Sequence, residues 1–426
     1  MNTDLTNTTS SQINATLVEA RRAVGSPAVG MVLTLVIVTD EGNHYDALKA
    51  ASQASKEHPS RILVVIRRPG RSPRARAEAR LDAEVRVGGE TGTGETVLLR
   101  LHGELAHHAQ SVVVPLLLPD APVVVWWPEE SPQVPAEDPL GALAQRRVTD
   151  AASCEDPVQA LTQRAETYSP GDTDLAWTRI TAWRSVLAAA LDQQHSTITG
   201  ALVEGEAYNP SSELLALWLA ERLRVPVERT VTEGPGLTAV RLHTENGLIC
   251  LDRADGSLAK LAMPGQPDRN VALKRRETSE LIAEELRRLD PDESYAAAIR
   301  FGVGQLRIHN PTEDHVVPPK PPAAPGGPTR GARPEDVGRP GQGSVGTQSQ
   351  APADLDPGSA AEPPPAASVT ESEPGPEPEP GPEPGPKGPT GSKGSQGAEP
   401  GADTTGGTKP RTRPGKRAAS PRRTTR

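Results

Sequence analysis

VLTLVIVTDEGNHYDALKAASQASKEHPSRILVVI, residues 32–66, is the stretch that decides the fold. Val32–Val38 is a run of branched apolar residues of strand length. It lacks the polar alternation of a strand with one wet face, so it reads as buried on both sides. Asp40–Lys56 follows as a helix opened by Asp40. His58-Pro59 stops it, because the residue before a proline is pushed out of the helical region. Arg61–Ile66 is a second buried run. Strand, helix and strand at this spacing form a βαβ unit, with the two strands parallel in one sheet.

Upstream, residues 10–24 form a short amphipathic helix with Ile13, Leu17, Ala20 and Val24 on one stripe, ended at Gly25-Ser26-Pro27. Downstream, the basic stretch Arg67–Arg80 is a loop or a solvated helix face. Ala83–Val87 and Glu95–Leu101 then flank a glycine-rich loop as a hairpin or as neighbouring strands. Glu104–Leu117 reads as a helix, and Val123–Trp127 closes a first domain as another buried strand. A proline-rich connector leads to Asp138–Ala152, read as helical. Asp172, Thr173 and Asp174 offer capping groups for a helix through Asp192. Ile198–Gly205 is a strand, and Asn209-Pro210 opens the next helix. Four short strand candidates separated by turn signals suit hairpins. A last helix runs through Ile282, Leu286 and Leu289 and ends at Asp290-Pro291. The expected fold is α/β with two α/β units, mainly parallel sheet in the first and mixed sheet in the second. The expected divisions are a lead-in over 1–30, domains over 31–128 and 171–303, a connector with a helix over 129–170, and a tail over 304–426.

That tail follows from composition. The chain holds 45 Pro and 39 Gly against a single Phe, and no aromatic residue lies beyond Phe301. Such a segment cannot bury enough apolar surface to offset its chain entropy, so 304–426 is expected to be disordered. Its charges come in blocks, eight acidic residues from Asp354 to Glu383 and eight basic ones from Thr408 to Arg426. The net charge of −9 is moderate and argues against a dedicated nucleic-acid binder. Cys154 and Cys250 are far apart and form no CxxC, which suits a reducing compartment. The polar N-terminus shows no signal peptide. The apolar run Val112–Pro128 is broken by Pro115, Pro119, Asp120 and Pro122, so no membrane span and a cytoplasmic location are expected.

The search for chemistry returns little. Gly89–Thr96 nearly matches a phosphate-binding loop, but Glu95 stands where the motif needs Lys, and a strand follows where it needs a helix. A hairpin loop fits better. His102, Glu104, His107 and His108 are the densest metal-capable cluster, yet a solvent-facing helix start explains them as well. His195 and His243 are isolated. Glu129-Glu130 sits among prolines and reads as solvated loop. No nucleophile elbow and no GxGxxG after a strand is present. No cofactor, metal or catalytic residue is therefore expected. The residues suited to a partner interface are Arg146 and Arg147, and the cluster Trp177, Arg179, Trp183 and Arg184, since Trp and Arg dominate interface hot spots. Trp126 and Trp127, at a strand end, join them. The competing reading has Trp177 and Trp183 in the core and the arginines paired with Asp150 or Asp174.

Several long blocks occur in order: VLTLVIVTDEG, RVGGETGTGETVLLRLHGELA, SVVVPLLLPDAPVVVWWP, DPLGALAQRRVTDAA, GDTDLAWTRITAWRSVLAAALDQ and PGQPDRNVALKRRE. Over residues 10–303 the chain resembles the bacterial glucose-6-phosphate dehydrogenase assembly proteins, the OpcA family. The resemblance implies a non-catalytic cytoplasmic factor of the oxidative pentose phosphate pathway, with glucose-6-phosphate dehydrogenase as its partner. It supplies no catalytic residues to place on this chain. The alternatives are a sugar-phosphate or nucleotide-binding α/β enzyme, which would use the carboxyl ends of its parallel strands, and a metabolite sensor.

Overall fold

β2 (Leu33–Thr39) and β3 (Ser60–Arg68) pair in parallel, from Leu33 opposite Ser60 to Thr39 opposite Ile66, with α2 (His44–Ala54) as the crossover. The βαβ reading of residues 32–66 is thus what the chain adopts. A computed structural model describes residues 1–25, 30–88, 94–253, 257–306 and 312–322. These all belong to one compact unit.

The first sheet has eight strands. Besides β2 and β3 it contains β1 (Asn2–Leu5), β4 (Ala79–Val87), β5 (Glu95–Gly103), β6 (Val123–Trp126), β7 (Arg146–Thr149) and β8 (Asp172–Asp174), in the order β1-β4-β5-β3-β2-β6-β7-β8. β5, β3, β2, β6, β7 and β8 run parallel. Their spatial order is third, second, first, fourth, fifth, sixth in the parallel set, the arrangement of doubly wound dinucleotide-binding sheets. β1 and β4 extend one edge antiparallel. α1 (Ser10–Val24), together with α4 (Ala109–Val113) and the 3-10 turns on either side of it, covers one face, burying Ile13, Leu17, Val113 and Leu116 against Val36, Leu63 and Leu99, while the short α3 (Pro73–Ala77) precedes β4 in the chain. α1 starts in a capping box of Thr9 and Gln12 and ends at Gly25 in the left-handed region. Its expected stripe is buried except at Val24, which is 44% exposed. α2 covers the other face together with α9 (Thr278–Arg287), whose Leu281, Ile282 and Leu286 pack on Leu35, Ile37 and Val64.

The second sheet has seven strands: β9 (Ile198–Glu206), β10 (Val227–Thr232), β11 (Leu237–Thr244), β12 (Gly247–Asp252), β13 (Leu258–Ala262), β14 (Arg269–Ala272) and β15 (His315–Val317). Their order is β14-β13-β12-β11-β9-β10-β15, mostly antiparallel with β9 and β10 parallel. α6 (Leu175–Arg179), α7 (Thr181–Leu191), α8 (Pro210–Leu223) and α10 (Glu293–Phe301) pack on one face, and Trp177, Trp183, Leu215 and Tyr295 fill that core. The fold is α/β with one mostly parallel and one mixed sheet, as expected.

Several local readings need correction. Residues 138–152 hold β7 between two short 3-10 turns instead of a helix, because Arg146–Thr149 is completed by pairing with β6 and β8. The helix α5 (Pro157–Thr167) follows it. The first sheet therefore continues past residue 128 through two more strands. The expected helix to Asp192 breaks at Ile180 into α6 and α7. α9 is not the last helix, since Asp292 caps α10. The ordered chain also runs beyond 303: β15 pairs antiparallel with β10 and buries Val317. The tail expectation for 323–426, and most of the glycine-rich loop Gly89–Thr96, lie outside the described residues.

Candidate functional site at the carboxyl edge of the parallel sheet

Six parallel strands put their carboxyl ends along one edge. In such sheets ligands bind outside that edge, where the strand order reverses. Here the reversal lies between β2 and β6, because β3 and β5 build out from one side of β2 and β6, β7 and β8 from the other. The residues placed there are those after β2, β6 and β7, and the end of β8.

A dinucleotide site leaves the N–H groups of its first βα turn open to a pyrophosphate. In this chain Asp40 occupies two of them. Its Oδ1 accepts from the Gly42 N–H at 2.6 Å and the Asn43 N–H at 2.9 Å, and its Oδ2 accepts from Asn43 Nδ2 at 3.1 Å. Glu41, next in the turn, takes Arg68 at 2.7 Å and Arg100 at 3.2 Å. Burial pulls the Glu41 carboxyl up, but the hydrogen bonds and charges of the two arginines outweigh it and hold it below the usual range. The Gly42 and Asn43 N–H groups, Arg68 and Arg100 are thus already satisfied by carboxylates of the chain itself.

The opposite wall is also acidic. Glu129, just after β6, is half-buried and accepts from Thr39 Oγ1 at 3.0 Å. Burial raises its carboxyl, and the charges of Asp40 and Asp150 add to this against the Thr39 hydrogen bond. Asp174 is wholly buried at the end of β8. It accepts from Thr149 Oγ1 at 2.6 Å and from the N–H groups of Ala151 and Ala176 at 3.0 and 2.9 Å. Burial, then Asp150, raises it. Asp150 holds Arg179 in a bidentate pair, both contacts at 2.6 Å. The Cys154 thiol is pushed up to about 11, first by burial and then by Asp174 and Asp150. A thiol so placed is a poor nucleophile at neutral pH. Among the described residues no group of three or more His, Cys, Asp or Glu is arranged to hold a metal.

Of the eight residues read as interface candidates, all but Arg179 and Arg184 are buried. Trp126 and Trp127 are each 1% exposed and point to opposite faces, into the core under α2 and the core under α1. Arg146 is buried against Glu285, and Arg147 against Asp172 and the carbonyls of Ala144 and Pro170. Trp177 and Trp183 belong to the second core, and the Trp177 indole donates to Asp292 at 2.9 Å. Arg184 lies 3.6 Å over the Trp177 ring, and burial lowers its pKa to about 10. Arg179 and Arg184 keep partial exposure. The core reading of the two tryptophans and the pairing of Arg179 with Asp150 are what the structure contains.

Sequence reasoning took Glu129-Glu130 for solvated loop and Asp40 for a simple helix opener. A signal was present: Thr39-Asp40, Thr149-Asp150 and Thr173-Asp174 repeat one dipeptide at three strand ends. Glu95, whose expected role was to repel a phosphate from a loop, is instead 2% exposed at the start of β5. There it pairs with Arg61 at 2.8 Å and Arg21 at 3.1 Å. His102 pairs with Asp82, and His108 with Glu104 on the surface.

The fold and this edge define an α/β protein whose doubly wound sheet has the strand order of dinucleotide-binding sheets and whose turn after β2 is occupied by the chain's own carboxylates. Residues 51–166 match the family described as glucose-6-phosphate dehydrogenase subunit N-terminal domain, and residues 170–299 the corresponding C-terminal domain. The chain belongs to the OpcA family of glucose-6-phosphate dehydrogenase assembly proteins. No curated protein matches it. Solved structures similar to it include a 3-ketoreductase from Actinomadura kijaniata, at 13% identity over 65% of this chain and 97% of that one, with a TM-score of 0.37. A probable oxidoreductase, yhhX, is 7% identical over 67% and 99%, with a TM-score of 0.37. An oxidoreductase from Sinorhizobium meliloti is 11% identical over 65% and 88%, with a TM-score of 0.35.

Proposed function

We propose that this chain is a non-catalytic factor that binds glucose-6-phosphate dehydrogenase and stabilises its active oligomer. Membership of the assembly-protein family supports the partner. The observation that carries the non-catalytic half is the filled turn after β2, where Asp40 takes the N–H groups and Glu41 takes Arg68 and Arg100. With Glu129 opposite, that edge meets a pyrophosphate with like charge.

No chemistry by the chain is then needed. A protein that binds one form of an oligomeric enzyme more tightly than another shifts the equilibrium by that difference, typically about 1–3 kcal/mol. Arg179 and Arg184, the partly exposed members of the candidate set, remain proposed contact residues. The division into units over 31–128 and 171–303 also stays a proposal. No helix among the described residues is long and apolar enough to cross a membrane, which accords with a cytoplasmic partner.

The test is titration of the full chain into purified dehydrogenase from the same organism, following rate and oligomer size. Both should rise to a plateau. A titration that moves neither defeats the partner assignment, and turnover of glucose 6-phosphate with NADP by the chain alone defeats the non-catalytic one.

A further inference from the structure

A cavity of about 240 Å³ lies beside the N-terminus of α8, away from the acidic turn after β2. Arg179, Arg253, Lys274, Arg275 and Arg276 line it, and among the described residues no Asp or Glu does. Arg179 pairs with Asp150, Lys274 with Glu280 and Arg276 with Glu284. Arg253, buried, donates to the carbonyls of Leu273 and Leu237 and lies 5.0 Å over the Trp183 ring. Arg275 donates to the Pro235 carbonyl and meets no carboxylate among the described residues.

Polar donors complete the wall. Asn209 caps α8 through Oδ1, which accepts from the Ser212 N–H at 3.1 Å. Its Nδ2 donates to no protein group among the described residues. Gly236 sits opposite with φ +65°, and a Cβ there would stand 3.5 Å from Asn209 Nδ2 and 3.6 Å from an Arg275 guanidinium nitrogen. The positive φ favours glycine there, and a side chain would stand in ordinary contact with both donors. Its own N–H is taken by Glu206, at 2.9 Å. Ile180, Trp183 and Leu237 supply an apolar side.

We propose that this cavity binds a small phosphate monoester of the size of a phosphorylated sugar. Guanidinium groups present paired donors that match phosphate oxygens, and the helix N-terminus adds favourable potential. The apolar side suits the carbon skeleton of the ligand. Sites for drug-sized ligands run to about 300–1,000 Å³, so this cavity takes a small ester and excludes a dinucleotide. Arg179 joins its wall to Asp150 at the end of β7, so occupancy reaches the first sheet directly.

The test is calorimetry on the full chain with glucose 6-phosphate, ribose 5-phosphate, inorganic phosphate and glucose, with no dehydrogenase present. Its failure leaves the partner assignment standing, and the reverse. At least one sugar phosphate should bind saturably, about tenfold or more tighter than inorganic phosphate, and glucose should not bind. Asn209→Asp keeps the helix cap but replaces the amide donor by a carboxylate, and Arg275→Gln removes the cation. Each should retain the melting temperature and weaken sugar-phosphate binding about tenfold or more. Absence of binding by either sugar phosphate, equal affinity for inorganic phosphate, or undiminished affinity in both folded variants would overturn the proposal.

Discussion

Arg146 on β7 and Glu285 on α9, 139 residues apart, form a buried ion pair in which Nε donates to Oε2 at 2.9 Å. Nη1 of the same arginine reaches the Asp290 carbonyl at 2.8 Å, and Thr178 Oγ1 donates to the other Glu285 oxygen at 2.5 Å. The contact locks the first sheet to the helix that covers it, across the two regions that the family descriptions treat separately. Burial raises the Glu285 carboxyl, and Arg146 opposes that shift.

Removing one partner should therefore be far worse than removing both. Arg146→Ala leaves a buried carboxylate without its cation and should cost about 3–5 kcal/mol in urea unfolding. The double change Arg146→Met with Glu285→Leu should cost much less, because no charge is stranded. A single variant as mild as the double would show that the pair does not hold α9 in place.

Glu129 gives a pH-dependent outcome. Its folded carboxyl lies above the ordinary value of 4.5 through burial and the neighbouring acids. A raised acid binds its proton more tightly when folded, so its contribution to stability is fully present below the unfolded value and is lost as pH rises through the folded one. Glu129→Gln should match wild type near pH 4 and be the more stable protein at pH 7 to 8. A variant less stable at pH 8 than wild type would reverse the sign argued here.

Cys154 should resist alkylation. A thiol at about 11 instead of 9 has about a hundredfold less thiolate at pH 8. Iodoacetamide should label native Cys154 far more slowly than the unfolded chain, with a rate that still climbs above pH 9. Cys154 and Cys250 are both free, so replacing both by Ser should leave activation of the dehydrogenase unchanged with or without reductant. Labelling that plateaus near pH 8 would contradict the half-buried thiol among acids.

The C-terminal limit of the fold can be measured by truncation. Ending the chain after Gly304 removes Leu306 and Val317, each under 5% exposed, and leaves β10 unpaired on one side. Full burial of two such side chains is worth about 3 kcal/mol or more, so the melting temperature should fall clearly. Ending after residue 322 should leave it unchanged. Equal melting of both truncated chains would place β15 outside the cooperative fold.

What the sequence determined by itself was local. Val32–Val38 and Arg61–Ile66 have one reading, since uninterrupted branched apolar runs of strand length around a short helix leave a buried parallel pair as the stable solution. Asn209 and Asp174 cap their helices where read, because a cap needs only a side chain and the backbone two or three residues on. The ordered blocks also identified the family. Tertiary structure decided the rest. Arg146–Thr149 carries no strand pattern of its own and becomes a strand only between β6 and β8. β15 exists because β10 offers it an open edge. Which side of the sheet Trp126 and Trp127 face, whether Arg179 meets a partner or Asp150, and whether Glu129 is solvated or ringed by Asp40 and Asp150 all depend on residues distant in the chain. Charge and burial are properties of the assembled neighbourhood, and no window of local sequence contains that neighbourhood.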